Sequence, residues 1–256
     1  MVKGYKLTVA PNGARRQRTD HPALPMTTSE IEKTAFACYQ AGADEIHLHV
    51  RENDGSHSLD TGRYQEAIDA ITNIVPLMAI QITTESAGKF SVVDQYNCLE
   101  TLRPRAASIS VREMARDVNL AARIYALAAE AGTSVQHILY TPECIAQLLL
   151  WRTDGIVPAS MSDIIFVLGQ YSPEVLAQPT DLAPFLTVIA DHNLDWSVCA
   201  FGRNEHACLN EAVSQGGNVR LRFENNIEMR DGTLFKDNAA SVAEFLQRTE
   251  TIKIGL

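Results

Sequence analysis

The sequence predicts a (β/α)8 barrel, and three observations carry that expectation. Apolar residues alternate between a period of two and a period near 3.6 along almost the whole chain, giving about eight strand–helix pairs, and strict alternation implies a parallel sheet. The length, 256 residues, is close to the roughly 250 typical of a closed eightfold barrel. No Gly-x-Gly-x-x-Gly follows the first strand, which weighs against an open, doubly wound sheet. No linker, low-complexity segment or repeat beyond the βα unit interrupts the pattern, so residues 1–256 read as a single barrel domain.

Residues 6–10 form the first expected strand, followed by a polar loop to Pro25 that contains Asn12-Gly13-Ala14-Arg15-Arg16. Thr27-Thr28-Ser29-Glu30 marks a helix start, with Thr27 as cap and Glu30 three residues on. That helix runs to Ala41, and Gly42 ends it. In Glu45-Ile46-His47-Leu48-His49-Val50-Arg51, Ile46, Leu48 and Val50 interleave with polar residues, which is a strand, and Asn53-Asp54-Gly55 is the turn after it. Further helices are expected at 64–74, 92–102, 118–131 (with Gly132 behind it), 142–151, 182–190, 205–214 and 239–249. Strands are expected at 77–82, 107–111, 135–140, 163–168, 196–200 and 218–223.

Composition narrows the function. A hydrophobic content of 46% supports a sizeable core. The formal net charge of −9 argues against a nucleic-acid partner, because phosphate binding needs a basic footprint. Local arginine clusters still allow an anionic small substrate. No apolar run approaches the roughly 18 residues of a membrane span. Val2-Lys3-Gly4-Tyr5 leads directly into a strand with no secretory leader. The cysteines, Cys38, Cys98, Cys144, Cys199 and Cys208, are odd in number, scattered and without a C-x-x-C pair, which suggests reduced thiols, a cytoplasmic location and no cysteine zinc site.

Barrel active sites lie at the C-terminal ends of the strands. That rule selects Pro11-Asn12-Gly13, His47, His49, Arg51, Thr83-Thr84-Glu85, Ser108, Ser110, Glu143, Phe201-Gly202-Arg203 and Glu224-Asn225-Asn226. Residues two apart on a strand share a face, so His47 and His49 project side by side, about 7 Å apart at Cα. Glu224, after the last strand, is the candidate third ligand of a His2Glu zinc site with open positions, and Glu228 is a weaker substitute. Arg220 lies four residues before Glu224 and is expected to share its inward face, as is Arg222. Two inward arginines suit a carboxylate-bearing substrate. Thr83, Thr84, Ser108 and Ser110 are candidates to hydrogen-bond that carboxylate, with strand-end capping favoured for Ser110. Glu143 is a candidate proton acceptor or ligand-orienting group, although a carboxylate just after Pro142 is also favoured by the helix dipole. His21 is a weaker candidate for the mouth of the site. His57, His137, His192 and His206 read as surface or packing residues.

These motifs have a family likeness. Ala10-Pro11-Asn12-Gly13-Ala14-Arg15-Arg16, His21-Pro22-Ala23-Leu24-Pro25-Met26-Thr27, Ala41-Gly42-Ala43 and His47-Leu48-His49-Val50-Arg51 resemble the β-keto acid cleavage enzymes, whose best-known type is the 3-keto-5-aminohexanoate cleavage enzyme. Gly216-Gly217-Asn218-Val219-Arg220 followed by Glu224-Asn225-Asn226 resembles the family segment GGHVRVGLEDN. The resemblance implies a (β/α)8 barrel, a homo-oligomer (dimer or tetramer) and one zinc ion per site, held by His47, His49 and Glu224. It also implies a Claisen-type exchange in which a β-keto acid and acetyl-CoA give acetoacetate and a new acyl-CoA. By the same resemblance Arg220 assists the base, Glu143 lies near the substrate and Thr83 contacts it.

Two departures from the family pattern stand out. The family aspartate after the zinc glutamate is Asn225 here, and an amide has no basic lone pair with which to take a proton. The glutamate of the first loop is Arg15, which repels a substrate ammonium and favours an anionic or neutral side chain. The proton therefore needs another acceptor: Glu143, Glu85 or zinc-bound hydroxide. The alternatives to the acetyl-CoA exchange are a zinc lyase or hydrolase acting on a keto acid without CoA, and a zinc-containing binding protein that has lost turnover.

Overall fold

The computed structural model describes residues 3–221 and 223–254, in which eight parallel strands close on themselves. These are β1 (Leu7–Val9), β2 (Glu45–Leu48), β5 (Ala79–Thr83), β6 (Ala106–Ser110), β7 (Ser134–Leu139), β8 (Asp163–Leu168), β9 (Asp195–Ala200) and β10 (Asn218–Leu221). Their order around the barrel is β1-β10-β9-β8-β7-β6-β5-β2, and β1 pairs with both β10 and β2. Two short strands, β3 (Val50–Arg51) and β4 (His57–Ser58), form an antiparallel hairpin outside the barrel. The helices are α1 (Thr28–Gln40), α2 (Thr61–Ile74), α3 (Val92–Leu102), α4 (Val111–Met114), α5 (Val118–Ala131), α6 (Pro142–Thr153), α7 (Ala183–Ile189), α8 (Glu205–Ser214) and α9 (Asn238–Ile254). A 3-10 turn at Pro179–Leu182 precedes α7. Among the described residues no helix is long and apolar enough to cross a membrane.

Local chemistry explains these boundaries. Thr27 and Glu30 form the anticipated reciprocal cap on α1. Arg18 donates two bonds to the same Glu30 carboxylate. Asp60, Ser91 and Asp117 cap α2, α3 and α5 with side-chain oxygens. Gly132 closes α5 in the left-handed region, with φ 70°.

Three features depart from the sequence reading. The segment 45–51, read as one strand, breaks at His49, so that Val50 and Arg51 pair with His57 and Ser58 across the Asn53-Asp54-Gly55 turn. A single-turn helix, α4, follows β6 directly. The last barrel strand ends at Leu221, and Phe223–Asn225 form a turn whose Glu224 N–H donates to the Ala10 carbonyl at 3.1 Å. Glu224 therefore leaves a turn, not the strand face it was expected to share with Arg220. Arg222 lies outside the described residues.

Strand alternation divides the barrel into two media. Outward-facing Leu7, Val9, Ile46, Leu48, Ile82, Ile109 and their equivalents pack beneath the helices in the main core. The inward positions are largely polar and buried: Thr8, Glu45, His47, Gln81, Gln136, Ser197 and Arg220. A small apolar cluster, Ile138, Ile165, Val167 and Cys199, is the exception. Buried polar groups need partners, and here they find one another. Thr8 donates to Glu45 at 2.7 Å, Lys6 lies 3.4 Å from Glu45 and 3.8 Å from Asp163, and Gln136 donates to Asp163 at 3.0 Å.

Asp163 is the strained member of this chain. Burial raises its pKa from 3.8 to about 6, against the pull of Lys6 and the Gln136 hydrogen bond. The folded carboxyl keeps its proton where the unfolded one has lost it, so stability falls as pH rises from 3.8 toward about 6. Asp163→Asn keeps an oxygen for Gln136 and removes that liability. Thermal melts should show the variant several degrees more stable than the parent at pH 8, with the gap closing below about pH 4.

Candidate metal centre

β2 aims His47 into the barrel, and His49, two residues on, follows it on the same side. Their Nε2 atoms stand 3.2 Å apart, with ring centroids 5.0 Å apart and planes at 76°. Glu224 reaches them from the turn after β10, with Oε1 3.5 Å from His49 Nε2 and Oε2 3.9 Å from His47 Nε2. One ligand atom from each of the three residues lies within 4.8 Å of the others. This approach depends on Gly13, whose φ is +60° and where an added Cβ would lie 2.5 Å from Glu224 Cγ. The first loop is itself tied down by Arg51, which donates to the carbonyls of Gly13 at 2.9 Å, Asn12 at 3.1 Å and Arg16 at 3.0 Å.

The hydrogen bonds also fix which atoms face the centre. Arginine can only donate, so the Gln81 atom 2.8 Å from Arg220 is Oε1. The same oxygen lies 2.8 Å from His47 Nδ1, so Nδ1 carries the proton and Nε2 presents its lone pair to Glu224 and His49. Burial, and then the charge of Arg220, push the His47 pKa well below its usual value against the opposing pull of Glu224, so the ring is neutral. Burial alone would raise the Glu224 pKa, but the hydrogen bond with His49 and the charge of Arg220 outweigh it and hold the carboxylate ionised. Among the described residues, Glu224 Oε2 and His49 Nδ1 have no hydrogen-bond partner. Imidazole nitrogens and an ionised carboxylate, buried and converging with ligating capacity unspent, fit a divalent cation.

A cavity of about 300 Å³ opens over this centre. His47, Arg220, Glu224 and Asn225 line its inner end, and Thr83, Glu85 and Arg15 stand on one wall. Arg220 is 4% exposed, and its Nε and the Oδ1 of Asn225 have no partner among the described residues. Arg15 is half exposed, 3.9 Å from Glu85. Burial raises the Glu85 pKa, opposed by His49 and Arg15.

Other expected site residues lie elsewhere. Glu143 is exposed on the first turn of α6, outside the cavity lining, and its hydrogen bond from Thr141 lowers its pKa. Its helix-start position explains it, and Thr141 is the residue of that turn that reaches the cavity. Thr84 spends its hydroxyl on the Ser108 carbonyl at 2.9 Å, which makes it a tie between strand ends. Ser108 is fully buried, its Oγ has no partner among the described residues, and it does not line the cavity. Ser110 caps α4, as favoured. His21 is buried, hydrogen-bonded to Phe235 O at 2.8 Å and packed at a tilt against Phe223, with ring centroids 4.3 Å apart, so it anchors a loop.

Sequence reasoning missed His57, Gln81, Tyr140 and Tyr171. His57, read as a surface or packing residue, is carried by the β3–β4 hairpin to 5.3 Å from the His49 ring centroid. Burial and the neighbouring His49 lower its pKa to about 3, and its Nε2 bonds to Glu85 O at 2.8 Å. The Asn53-Asp54-Gly55 turn was the available signal, because a hairpin there folds His57 back toward His49. Gly13→Ala should push Glu224 away from the imidazole pair. Equilibrium titration with a divalent cation should then show affinity lowered at least about tenfold, with the thermal transition largely retained.

The comparisons with known proteins follow this geometry. The family model described as beta-keto acid cleavage enzyme matches residues 5–254. The chain is 28% identical over 250 residues to the 3-keto-5-aminohexanoate cleavage enzyme of Fusobacterium nucleatum, covering 94% of this chain and 90% of that protein. It is 26% identical over 260 residues to the 3-oxoadipate:acetyl-CoA acetyltransferase of Cupriavidus necator, covering 95% and 88%. Among solved structures, apo ObcA superposes with a TM-score of 0.67 at 14% identity, covering 91% of this chain. The chain spans 63% of the length of ObcA, and that likeness concerns the barrel fold alone. With a family match over nearly its whole length, the chain belongs to the beta-keto acid cleavage enzyme family.

Proposed function

We propose that the protein catalyses a zinc-dependent exchange between a β-keto acid and acetyl-CoA. The observation that carries this reading is the convergence of His47, His49 and Glu224 at the inner end of a cavity that also holds Arg220 and Asn225. Two histidines and one glutamate are a zinc donor set with room for substrate: His47, His49 and Glu224 would hold the ion, which would supply a Lewis acid for the ketone. The relatives named for β-keto acid cleavage and for acetyl-CoA transfer support the choice of substrates.

In the overall reaction the C2–C3 bond of the keto acid breaks and a bond forms between C2 and the acetyl carbon. The CoA sulfur leaves the acetyl group and takes the released acyl group, giving acetoacetate and a new acyl-CoA. Each of the chain's own groups has a part in this. Arg220, buried and held by Gln81 and Gln136, places a fixed positive charge where negative charge develops. Glu85 lines the same cavity, and burial has raised its pKa toward the range of a working base, so we assign it the C2 proton. Asn225 offers an amide in place of a carboxylate and orients the substrate without taking a proton. Thr83 and Arg15 contribute contacts along the wall. This reading includes a cytoplasmic homo-oligomer, dimer or tetramer.

Acyl-CoA formation from a β-keto acid panel, with and without acetyl-CoA, tests the reading. Activity should require acetyl-CoA and disappear on chelation and in His49→Ala. Product formed without acetyl-CoA would instead identify a lyase or hydrolase, and binding without any product a protein that has lost turnover. Glu85→Gln should lower kcat by about 10²-fold or more, while Asn225→Asp should raise it. An unchanged kcat in Glu85→Gln would remove Glu85 from the proton step.

A further inference from the structure

Three guanidinium groups line the cavity, and two are engaged. Arg220 donates to Gln81 and Gln136, and Arg15 faces Glu85. The third, Arg112, has its Cζ 3.7 Å from the centroid of the Tyr140 ring. Among the described residues it has no hydrogen-bonding or ion-pairing partner. A guanidinium laid on an aromatic face is held in orientation by the ring, yet its N–H edge stays available for a forked pair of bonds to a carboxylate.

Topology sets where this cation stands. Arg112 follows β6 and Tyr140 follows β7, which are neighbours in the barrel. The ligand triad belongs to β2 and to the turn after β10, the two strands that flank β1. In a ring of eight, β7 is the strand opposite β1, so the Arg112–Tyr140 pair faces the triad across the cavity. The wall between them is apolar, built from Ile138, Val167, Cys199 and Phe201. One cavity thus offers a cation-binding end, a strip suited to methylenes and an unpaired guanidinium at the far side.

Resting on the β-keto acid reading above, we infer that the preferred substrate is a β-keto dicarboxylate and that Arg112 determines this by binding the distal carboxylate. The exchange is then the one already written, with the released acyl group carrying its terminal carboxylate into the new thioester. The complementarity is of charge and of shape. A substrate ending in a methyl group leaves the guanidinium without a partner, and one ending in an ammonium is repelled by it.

The test compares 3-oxoadipate with 3-oxohexanoate, six-carbon acids that differ in the terminal group, each with acetyl-CoA and the zinc-loaded protein. The ratio of their kcat/KM values should favour the dicarboxylate at least about tenfold. Arg112→Met should bring that ratio close to one through KM for the dicarboxylate, and Arg112→Lys should restore part of it. A parent ratio near one, or a ratio unmoved by Arg112→Met, would overturn the inference. So would a rise in the KM for acetyl-CoA of equal size with both acids, which would assign Arg112 to the cosubstrate's phosphates. If neither acid reacts, the exchange reading fails, and calorimetry with unreactive adipate and hexanoate decides the point. Tighter binding of adipate that is lost in Arg112→Met supports the inference, and equal binding of the two sinks it.

Discussion

The centre of this molecule depends on a buried arginine. Arg220 projects into the barrel, and a charge removed from water there requires oxygen acceptors. Gln81 and Gln136 supply them from β5 and β7. Because Gln81 must turn its oxygen toward Arg220, the same oxygen accepts from His47 Nδ1, and the lone pair of His47 Nε2 is left facing Glu224 and His49. One amide therefore orients both the cation and the imidazole. The chemistry of the site follows from how the barrel satisfies its own buried polarity.

That polarity comes at the expense of apolar packing inside the barrel, where branched aliphatic side chains are the usual filling. The stabilising burial has moved outward, to the layer between strands and helices, where Tyr64, Tyr125, Phe166 and Phe245 are fully buried. The inner network runs from Thr8 and Glu45 through Lys6 and Asp163 to Gln136 and Arg220, and nearly every member has a partner. Half of the buried side-chain atoms left without a partner among the described residues, Glu224 Oε2, His49 Nδ1, Asn225 Oδ1 and Arg220 Nε, gather at the open end. Unspent hydrogen-bonding capacity concentrated in one cavity distinguishes a ligand site from a structural network.

The loops finish what the strands begin. Gly13 and Glu224 are interlocked through a contact that tolerates no Cβ, and Arg51 clamps the backbone of the same loop. The β3–β4 hairpin returns His57 to the rear of His49. On the opposite rim, α4 presents Arg112 over Tyr140. Three segments distant in sequence thus meet at one mouth, each fixed by backbone hydrogen bonds.

Local information was enough for much of this. The two periodicities, the Thr27–Glu30 cap and Gly132 located most elements, and α3, α5, α8 and β8 begin and end where the pattern put them. His47 and His49 were legible because a period of two places them together on any strand, and Asn225 and Arg15 because a changed residue type is visible without coordinates. The tertiary structure alone decided that Glu224 approaches from a turn, that Glu143 and Thr84 sit at a helix start and in a strand tie, that His57 returns to His49, and that Arg112 lines the cavity. The physical reason is range. Periodicity reports which side chains share a face within one element. Where a side chain points beyond a strand end is set by contacts such as Glu224 with Gly13, made between segments about two hundred residues apart.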